Sequence, residues 1–343
     1  TPGVDMQRAC GTSLETTLNI ANKIALGQIE AGIAGGVDSI SDAPIVYNDN
    51  FRKILLASAH GKSIQEKIKP WLGMKLRFLK PKLPGVKEPR TGLSMGESTE
   101  IIAKTYNISR QSQDQLALES HENAAKAYDE GFYDNLVHSF KGVSEDNIIR
   151  RNIAIDKLNA LKTVFDKSEQ GTMTPGNSTS LTDGAAAVLL SSEEWAHQNN
   201  LQIEAYLSHC EIAAIDYIND EGLLMAPAYA VSSMLKKANL NLQDFDFYEI
   251  HEAFAAQILA TIKAWESADF CRSKLNRDNP MGSIDKSKLN IKGGSLAIGH
   301  PFAATGARII ATMAKLLNDK GSGRGLISIC TAGGMGITAI MEK

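Results

Sequence analysis

Hydrophobic and polar positions along the chain follow two spacings, one typical of helices and one typical of strands. Apolar residues recur at helical spacing over 14–31, and the small apolar run at 31–40 predicts a buried strand. Helical spacing returns at 97–106 and 109–130. Residues 177–190 pass from a polar turn into an apolar strand.

The second half of the chain shows a similar order. Residues 246–250 predict a strand that leads into a helix from His251, and His300 lies on a glycine-framed turn. The segments that follow predict a helix at 304–318, a strand at 326–330, a glycine turn at 331–336 and a returning strand at 337–341.

A turn, a helix, a strand and a Gly-Gly pair therefore occur twice in the same order, at 10–36 and at 300–334. In the second copy the glycines close a hairpin directly, whereas in the first a long insertion precedes the returning strand. This pattern predicts two related α/β halves. We expect the first half to comprise 1–42 and 173–195, with an inserted loop domain at 43–172 and the second half at 200–343.

Composition narrows the possible functions. The chain has 343 residues, of which 22% are charged and 43% hydrophobic, and its net charge of -3 argues against a nucleic-acid binder. Neither a signal peptide nor an apolar run of the roughly 18 residues of a membrane span is visible. The cysteines form no CxxC pair, which predicts free thiols, no metal site and a cytoplasmic location; they are Cys10, Cys210, Cys271 and Cys330.

Three side chains lie on small-residue turns and suggest acyl chemistry on sulfur. Cys10 precedes a predicted helix, whose N-terminus lowers a thiol pKa and favours a nucleophilic thiolate. His300 is a candidate base, and Cys330 is a candidate second acid or base. The residues alone leave other interpretations open. Either cysteine could be an inert core residue, and His300 could be a core histidine bonded to a carbonyl.

Motifs in one order along nearly the whole chain resemble those of the thiolase family. They lie at 10–13 (CGTS), 35–44 (GGVDSISDAP), 95–100 (MGESTE), 177–184 (NSTSLTDG), 251–254 (HEAF), 299–301 (GHP) and 330–336 (CTAGGMG). Most thiolases have Asn where this chain has His251. The His form is similar to the thiolase subunits of fatty-acid-oxidation multienzyme complexes.

The resemblance implies a fold and a set of roles. We expect the α/β thiolase fold, with two related βαβ-type halves forming a layered α/β/α/β/α core. Cys10 would be the nucleophile, His300 its base and Cys330 the second acid or base. His251 would orient a water toward the thioester oxygen or donate to it directly. The backbone N–H groups of Cys10 and Ala332 would form a second oxyanion site.

The family also implies the ligand and one departure. Coenzyme A would be a substrate, with no other cofactor, and its pantetheine would pass near Met95, Thr179 and Phe254. Lys162 is a candidate phosphate contact. Family members carry a longer segment before the nucleophile, where this chain has nine residues, so an N-terminal part of the first half is expected to be missing.

A basic segment at 67–90 has eight Lys or Arg residues and one acid, interleaved with Trp71 and several leucines. It predicts contact with a membrane surface or an acyl-CoA, or else a solvated loop whose apolar side packs on the body. By resemblance we expect 3-ketoacyl-CoA cleavage in fatty-acid oxidation, a homodimer and a hydratase/dehydrogenase partner. The alternatives are an acetoacetyl-CoA thiolase and an inactive truncated copy that serves as an assembly subunit.

Overall fold

The computed structural model describes residues 1–219 and 222–343. Its strands are β1 Ala31–Asp38, β2 Gly184–Ser191, β3 Tyr206–Ala214, β4 Phe247–Ile250, β5 Arg324–Thr331 and β6 Met335–Glu342. Its α-helices are α1 Thr12–Ala25, α2 Asp49–His60, α3 Ile64–Ile68, α4 Met95–Thr105, α5 Arg110–Asp129, α6 Ile155–Asn159, α7 Glu193–Gln198, α8 Ala226–Ala238, α9 Ala255–Glu266, α10 Ala268–Ser273, α11 Ser295–Ile298 and α12 Thr305–Lys320. Short 3-10 helices lie at Ala9–Gly11, Lys69–Gly73, Leu76–Leu79, Lys286–Lys288 and Phe302–Ala304.

The strands form two sheets with a repeated connection. β1 pairs antiparallel with β2, and the second sheet has the order β3-β6-β5-β4, in which β4 and β5 are parallel and the other pairs antiparallel. α1 leads into β1 as α12 leads into β5, and each of these strands pairs antiparallel with a returning strand. The two related α/β halves predicted from the sequence are therefore present.

Helices α1 and α12 pack against each other between the two sheets. Their approach is close, since a Cβ added to Gly306 would lie 2.5 Å from the backbone nitrogen of Leu14. Ser13 Oγ also accepts a hydrogen bond of 2.7 Å from the Ala307 N–H. On the far side of the larger sheet, α8 covers β3 and β6.

These elements make four layers of the predicted five. On β1, the residues facing α1 alternate with Ile33 and Val37, whose side chains are 74% and 70% exposed. Leu189 on β2 is likewise more than half exposed. The outer face of the two-stranded sheet is thus open to solvent among the described residues.

Two predicted helix boundaries are corrected. The first helix ends at Ala25 rather than at 31, because Gly27 takes a left-handed turn with φ 67° and the chain then enters β1. The predicted helix from His251 begins at Ala255 instead. The His251 N–H donates to the Ser328 carbonyl and so extends the pairing of β4 with β5 past Ile250. Local periodicity does not reveal this tertiary constraint.

Candidate active site

Cys10 lies in the 3-10 turn Ala9–Gly11 that leads directly into α1. The turn is tight, because a Cβ on Gly11 would lie 2.7 Å from Ile337 and 2.9 Å from Thr331 at the end of the larger sheet. The preceding residue, Ala9, has a left-handed φ of 43°, which is unfavourable for a residue with a side chain. The sheet end and α1 together fix where the thiol points.

His300 reaches the thiol from the second half of the chain. Its Nε2 lies 3.1 Å from Cys10 Sγ, and its Nδ1 lies 2.7 Å from Thr305 Oγ1 in the first turn of α12. Gly299 before it has φ 98°, a conformation that favours glycine. If Thr305 accepts from Nδ1–H, Nε2 is free to accept the thiol proton.

Burial keeps this pair neutral. It raises the pKa of the Cys10 thiol to about 11, against the weaker lowering effect of backbone N–H groups. Burial, and then the charge of Arg308, lower the pKa of His300 to about 3. The expectation that the helix N-terminus would lower the thiol pKa is wrong for this site, because desolvation of the thiolate outweighs it.

The backbone N–H groups of Ala332 and Cys10, the predicted second oxyanion site, both lower the pKa of the Cys10 thiol, although burial outweighs them. Their role as an oxyanion site stays a prediction. Ala332 lies in the turn between β5 and β6, where Gly333 and Gly334 have φ of 81° and 70°. These two glycines take the left-handed angles, so Ala332 presents its N–H without needing to be glycine.

Cys330 lies near the end of β5 and is buried. Burial raises the pKa of its thiol well above the ordinary range, and the charge of Cys10 acts in the same direction. The strand position agrees with the core-packing interpretation, while the effect of Cys10 on the pKa of Cys330 agrees with the catalytic one. The structure therefore leaves Cys330 a candidate acid or base.

His251 lies in one group with Cys10 and His300, in which both histidines are buried and Cys10 is half-buried. The two imidazole rings lie 4.2 Å apart, and one ring nitrogen from each lies within 4.8 Å of Cys10 Sγ. His251 Nδ1 lies 2.8 Å from Ser295 Oγ, whereas its Nε2 is buried with no partner among the described residues. Burial, then His300 and Arg308, hold the pKa of His251 well below its usual range. The imidazole is therefore neutral and has one unused nitrogen.

Glu252 has a structural role. Its buried carboxylate accepts from Ser120 Oγ at 2.7 Å, Asn290 Nδ2 at 2.7 Å and the Leu296 N–H at 2.9 Å. These bonds connect the end of β4 to α5 and α11. Glu252 thus fixes the segment that carries His251.

Three of the four residues predicted to line the coenzyme A path lie on segments next to the site. Thr179 donates from Oγ1 to the Ser295 carbonyl at 2.6 Å and from its N–H to Ala253 at 3.1 Å. Phe254 is buried, with its ring 5.9 Å from that of Phe165. Met95 begins α4 and packs on the same core. The 177–182 segment pairs with His300, whose N–H donates to Ser180 at 3.0 Å.

Family models account for the chain almost from end to end. A model described as the thiolase N-terminal domain matches residues 1–194, and one described as the thiolase C-terminal domain matches 201–343. The chain belongs to the thiolase family. It is therefore an acyltransferase by family, and the expected thiolase fold is confirmed.

Individual thiolases agree with this assignment. The chain is 41% identical to a 3-ketoacyl-CoA thiolase of Yersinia enterocolitica and 42% identical to one of Colwellia psychrerythraea, in each case over all of this chain and 79% of the relative. A crystal structure of human mitochondrial 3-ketoacyl-CoA thiolase in complex with CoA superposes with a TM-score of 0.79 at 28% identity, over 98% of this chain and 77% of that one. The acetyl-CoA acetyltransferase of Bacillus anthracis gives 0.77 at 30% identity, over 98% and 78%.

Lys162 is the predicted ligand residue that the structure does not bring to this thiolase site by any contact. It is exposed and follows α6. A separate cavity of about 610 Å³ between α5, α9 and residues 286–292 includes Lys126, Lys286 and Lys292, but none of the predicted catalytic residues. We therefore do not assign the thiolase reaction to that cavity.

Sequence reasoning missed Ser295 and Arg308. Arg308 Nη2 donates to Ser295 Oγ at 2.8 Å, and the same oxygen lies 2.8 Å from His251 Nδ1. The available signal was an arginine within the apolar pattern of the predicted helix at 304–318. A charged residue in such a position is rarely buried without a specific partner.

Proposed function

We propose that this thiolase is a 3-ketoacyl-CoA thiolase of fatty-acid β-oxidation, which uses coenzyme A to cleave 3-ketoacyl-CoA into acetyl-CoA and a shortened acyl-CoA. The observation that carries the proposal is the 3.1 Å contact between Cys10 Sγ and His300 Nε2. Relatives named 3-ketoacyl-CoA thiolase, alignable over all of this chain, support the substrate class.

In the first half-reaction Cys10 sulfur attacks the 3-keto carbon while His300 Nε2 takes the thiol proton. The bond between the second and third carbons then breaks, which leaves the acyl group on Cys10 and a carbanion on acetyl-CoA. Cys330 protonates that carbanion. Its neutral thiol suits this role, because a group whose pKa is raised holds its proton until a strong base appears.

In the second half-reaction coenzyme A removes the shortened acyl group. As the coenzyme A sulfur attacks the Cys10 thioester, its thiol gives its proton to the Cys330 thiolate left by the first half-reaction, and the N–H groups of Cys10 and Ala332 would bind the developing oxyanion. The bond between the acyl carbon and Cys10 sulfur then breaks, and the Cys10 sulfur takes back its proton from His300. Thiols, imidazoles and backbone amides supply every proton donor and acceptor in this scheme. We propose that coenzyme A is a substrate and that no further cofactor takes part.

The test combines intact mass with a chain-length series. We expect brief exposure to acetyl-CoA to leave one acetyl group, mapped to Cys10 and absent from Cys10→Ala. We also expect the rate of 3-ketoacyl-CoA cleavage to persist beyond four carbons. A folded chain that forms no adduct would instead be an inactive assembly subunit.

The alternative of an acetoacetyl-CoA thiolase has one supporting observation, the similarity to an acetyl-CoA acetyltransferase structure. It shares the chemistry and differs in acyl length. Cleavage confined to the four-carbon substrate would favour it over our proposal.

We also propose a cytoplasmic homodimer that joins a hydratase/dehydrogenase subunit and contacts a membrane surface through the 67–90 segment. In that segment Leu72 and Leu76 are 83% and 86% exposed, which disfavours packing of its apolar side on the body. No helix in the described part of the chain is long and apolar enough to cross a membrane.

Light scattering tests whether the protein is a dimer. Vesicle sedimentation with and without the segment's lysines tests the surface, and unchanged binding would disprove it.

A further inference from the structure

Arg308, Ser295 and His251 form a hydrogen-bonded network in which Ser295 and His251 are buried and Arg308 is half-buried. Arg308 Nη2 donates to Ser295 Oγ at 2.8 Å, and Ser295 Oγ lies 2.8 Å from His251 Nδ1. Ser295 and His251 are buried, so solvent does not compete for these groups. No sequence motif marks this network, because Ser295 begins α11, Arg308 lies in α12 and His251 follows β4.

The donors and acceptors of this network determine the tautomer of His251. Arginine has donors only, so Ser295 Oγ must accept from Arg308. Its own proton can then go to His251 Nδ1, which leaves the proton of the neutral imidazole on Nε2. In the other tautomer Nδ1–H would point at Ser295, and both the buried serine proton and the lone pair of Nε2 would lack partners among the described residues. The Nε2–H form leaves only the Nε2 proton unpaired, and since each unpaired buried group is costly, this form is favoured.

The resulting donor belongs to the same group of side chains as the reacting thiol. Nε2 is the nitrogen of His251 that has no partner among the described residues. The ring lies 4.2 Å from that of His300, within the group that includes Cys10 Sγ. A buried N–H with no protein acceptor at such a position suits the oxygen that becomes negative when the sulfur attacks.

The charges near His251 also favour its use as a donor to an oxyanion. Arg308 and His300 disfavour an imidazolium at His251, so the ring stays neutral and keeps a single proton.

Two histidines and a cysteine at these distances are also a set of ligands that zinc can bind. A zinc ligand needs a free lone pair, however, and the proton on Nε2 removes it. The group is therefore better suited to an anionic oxygen than to a cation.

We infer that Ser295 and Arg308 are positioning residues that hold His251 as its Nε2–H tautomer, so that it donates to the oxyanion of the substrate. This inference rests on the proposed function, which supplies the substrate whose oxyanion accepts the hydrogen bond. The tautomer itself does not depend on the proposed function, because the free protein should hold His251 in the Nε2–H form without any substrate.

The first measurement is nuclear magnetic resonance of protein with ¹⁵N-labelled histidine, in which His251→Asn identifies the His251 signals. We expect the proton of His251 on Nε2 near pH 7. A proton on Nδ1 would overturn the inference. An inactive protein with the expected tautomer would count against the proposed function alone.

The second measurement is a double-mutant cycle of Ser295→Ala and His251→Asn in the cleavage assay. In the native background we expect Ser295→Ala to lower kcat about tenfold, a fraction of what a whole oxyanion donor contributes, with KM changed less than about twofold. In the His251→Asn background its effect should fall below about twofold. Equal losses in both backgrounds would overturn the inference.

Ser328→Ala is the matched control. It removes another buried serine hydroxyl, one without a hydrogen-bond partner among the described residues, and should leave kcat unchanged. Where Ser295→Ala does not fold, the tautomer of the native protein still decides the matter.

Discussion

At the scale of single residues, Cys10 and His300 form a neutral pair. Burial raises the pKa of the thiol to about 11 and lowers that of the imidazole to about 3, so neither is charged near pH 7. The thiol becomes a nucleophile only as its proton moves to Nε2 over the 3.1 Å contact. Substrate binding, rather than a standing thiolate, then governs reactivity.

This state predicts an unusual pH dependence of alkylation at Cys10. Only the thiolate reacts with iodoacetamide, and its fraction rises about tenfold per pH unit below the thiol pKa. We expect the rate at Cys10, followed by peptide mapping, to climb from pH 7 to pH 10 without a plateau. Free cysteine, with a pKa of about 8.5, is the control and should level off in that range. A plateau at Cys10 by pH 8 would mean that the thiolate is already stabilised in the free protein.

At the scale of elements, the contact between α1 and α12 brings Cys10, the proposed nucleophile, to His300, its proposed base. Cys10 immediately precedes α1, and His300 lies five residues before α12 begins at Thr305. A Cβ on Gly306 would lie 2.5 Å from the Leu14 backbone nitrogen and 2.9 Å from Ser13 Oγ. Backbone atoms on the facing helix cannot give way as a flexible side chain can.

We therefore expect Gly306→Ala to damage both stability and acylation. Alanine would gain up to about 1 kcal/mol in helix propensity, but overpacking costs about 1–3 kcal/mol, and the rigid contact favours the upper part of that range. Separating the two helices should also slow acetylation of Cys10 by at least about tenfold. The measurements are the urea midpoint and the rate of adduct formation by mass.

Gly73→Ala is the control for this change. Gly73 has no atom within 4 Å of an added Cβ and no left-handed φ. It should keep both the midpoint and the rate. If Gly306→Ala behaves like Gly73→Ala, the helix contact does not position the site.

The elements also show how far the sequence could lead. The repeated pattern predicted α12, β5 and β6 closely, because each has a strong apolar period and glycine punctuation. The start of the helix after β4 could not be predicted in this way, since backbone pairing with Ser328 and the buried bonds of Glu252 determine it. The motifs indicated Cys10, His300 and Cys330 as candidate catalytic residues. The connection of Arg308 through Ser295 to His251 could not be predicted, because it forms only where α11, α12 and the end of β4 meet.

At the scale of the whole molecule, buried histidines couple folding to pH. Burial lowers the pKa of His121 to about 4 and that of His300 to about 3, and it holds that of His251 well below its usual range. In the unfolded chain all three would bind protons below about pH 6.5. Acidification from that point therefore favours unfolding, by about 1.4 kcal/mol per pH unit for each histidine.

Buried carboxyl groups act in the opposite direction. Burial raises the pKa of Glu249 to about 8, so the folded protein holds a proton there that the unfolded chain releases above about pH 4.5. The pKa values of Glu252 and Asp146 are also raised, but hydrogen bonds to each carboxylate oppose the shift. Between pH 5 and 6.5 the three histidines outweigh Glu249. Between pH 7 and 8 the protonated fraction of each unfolded histidine falls from about a quarter toward zero, so the Glu249 proton comes to dominate.

The free energy of unfolding should therefore rise from pH 5 to about pH 6.5 and fall again from pH 7 to 8. Urea titrations at half-unit intervals measure both limbs. Glu249→Gln should flatten the alkaline limb because the glutamine cannot ionise, and His121→Asn should reduce the acid slope by about 1.4 kcal/mol per pH unit. A stability that holds constant or rises on acidification below pH 6.5, with a slope that His121→Asn does not change, would mean that the histidines charge in the folded state. That result would also exclude the neutral state of His300 and His251, on which the proposed catalytic scheme depends.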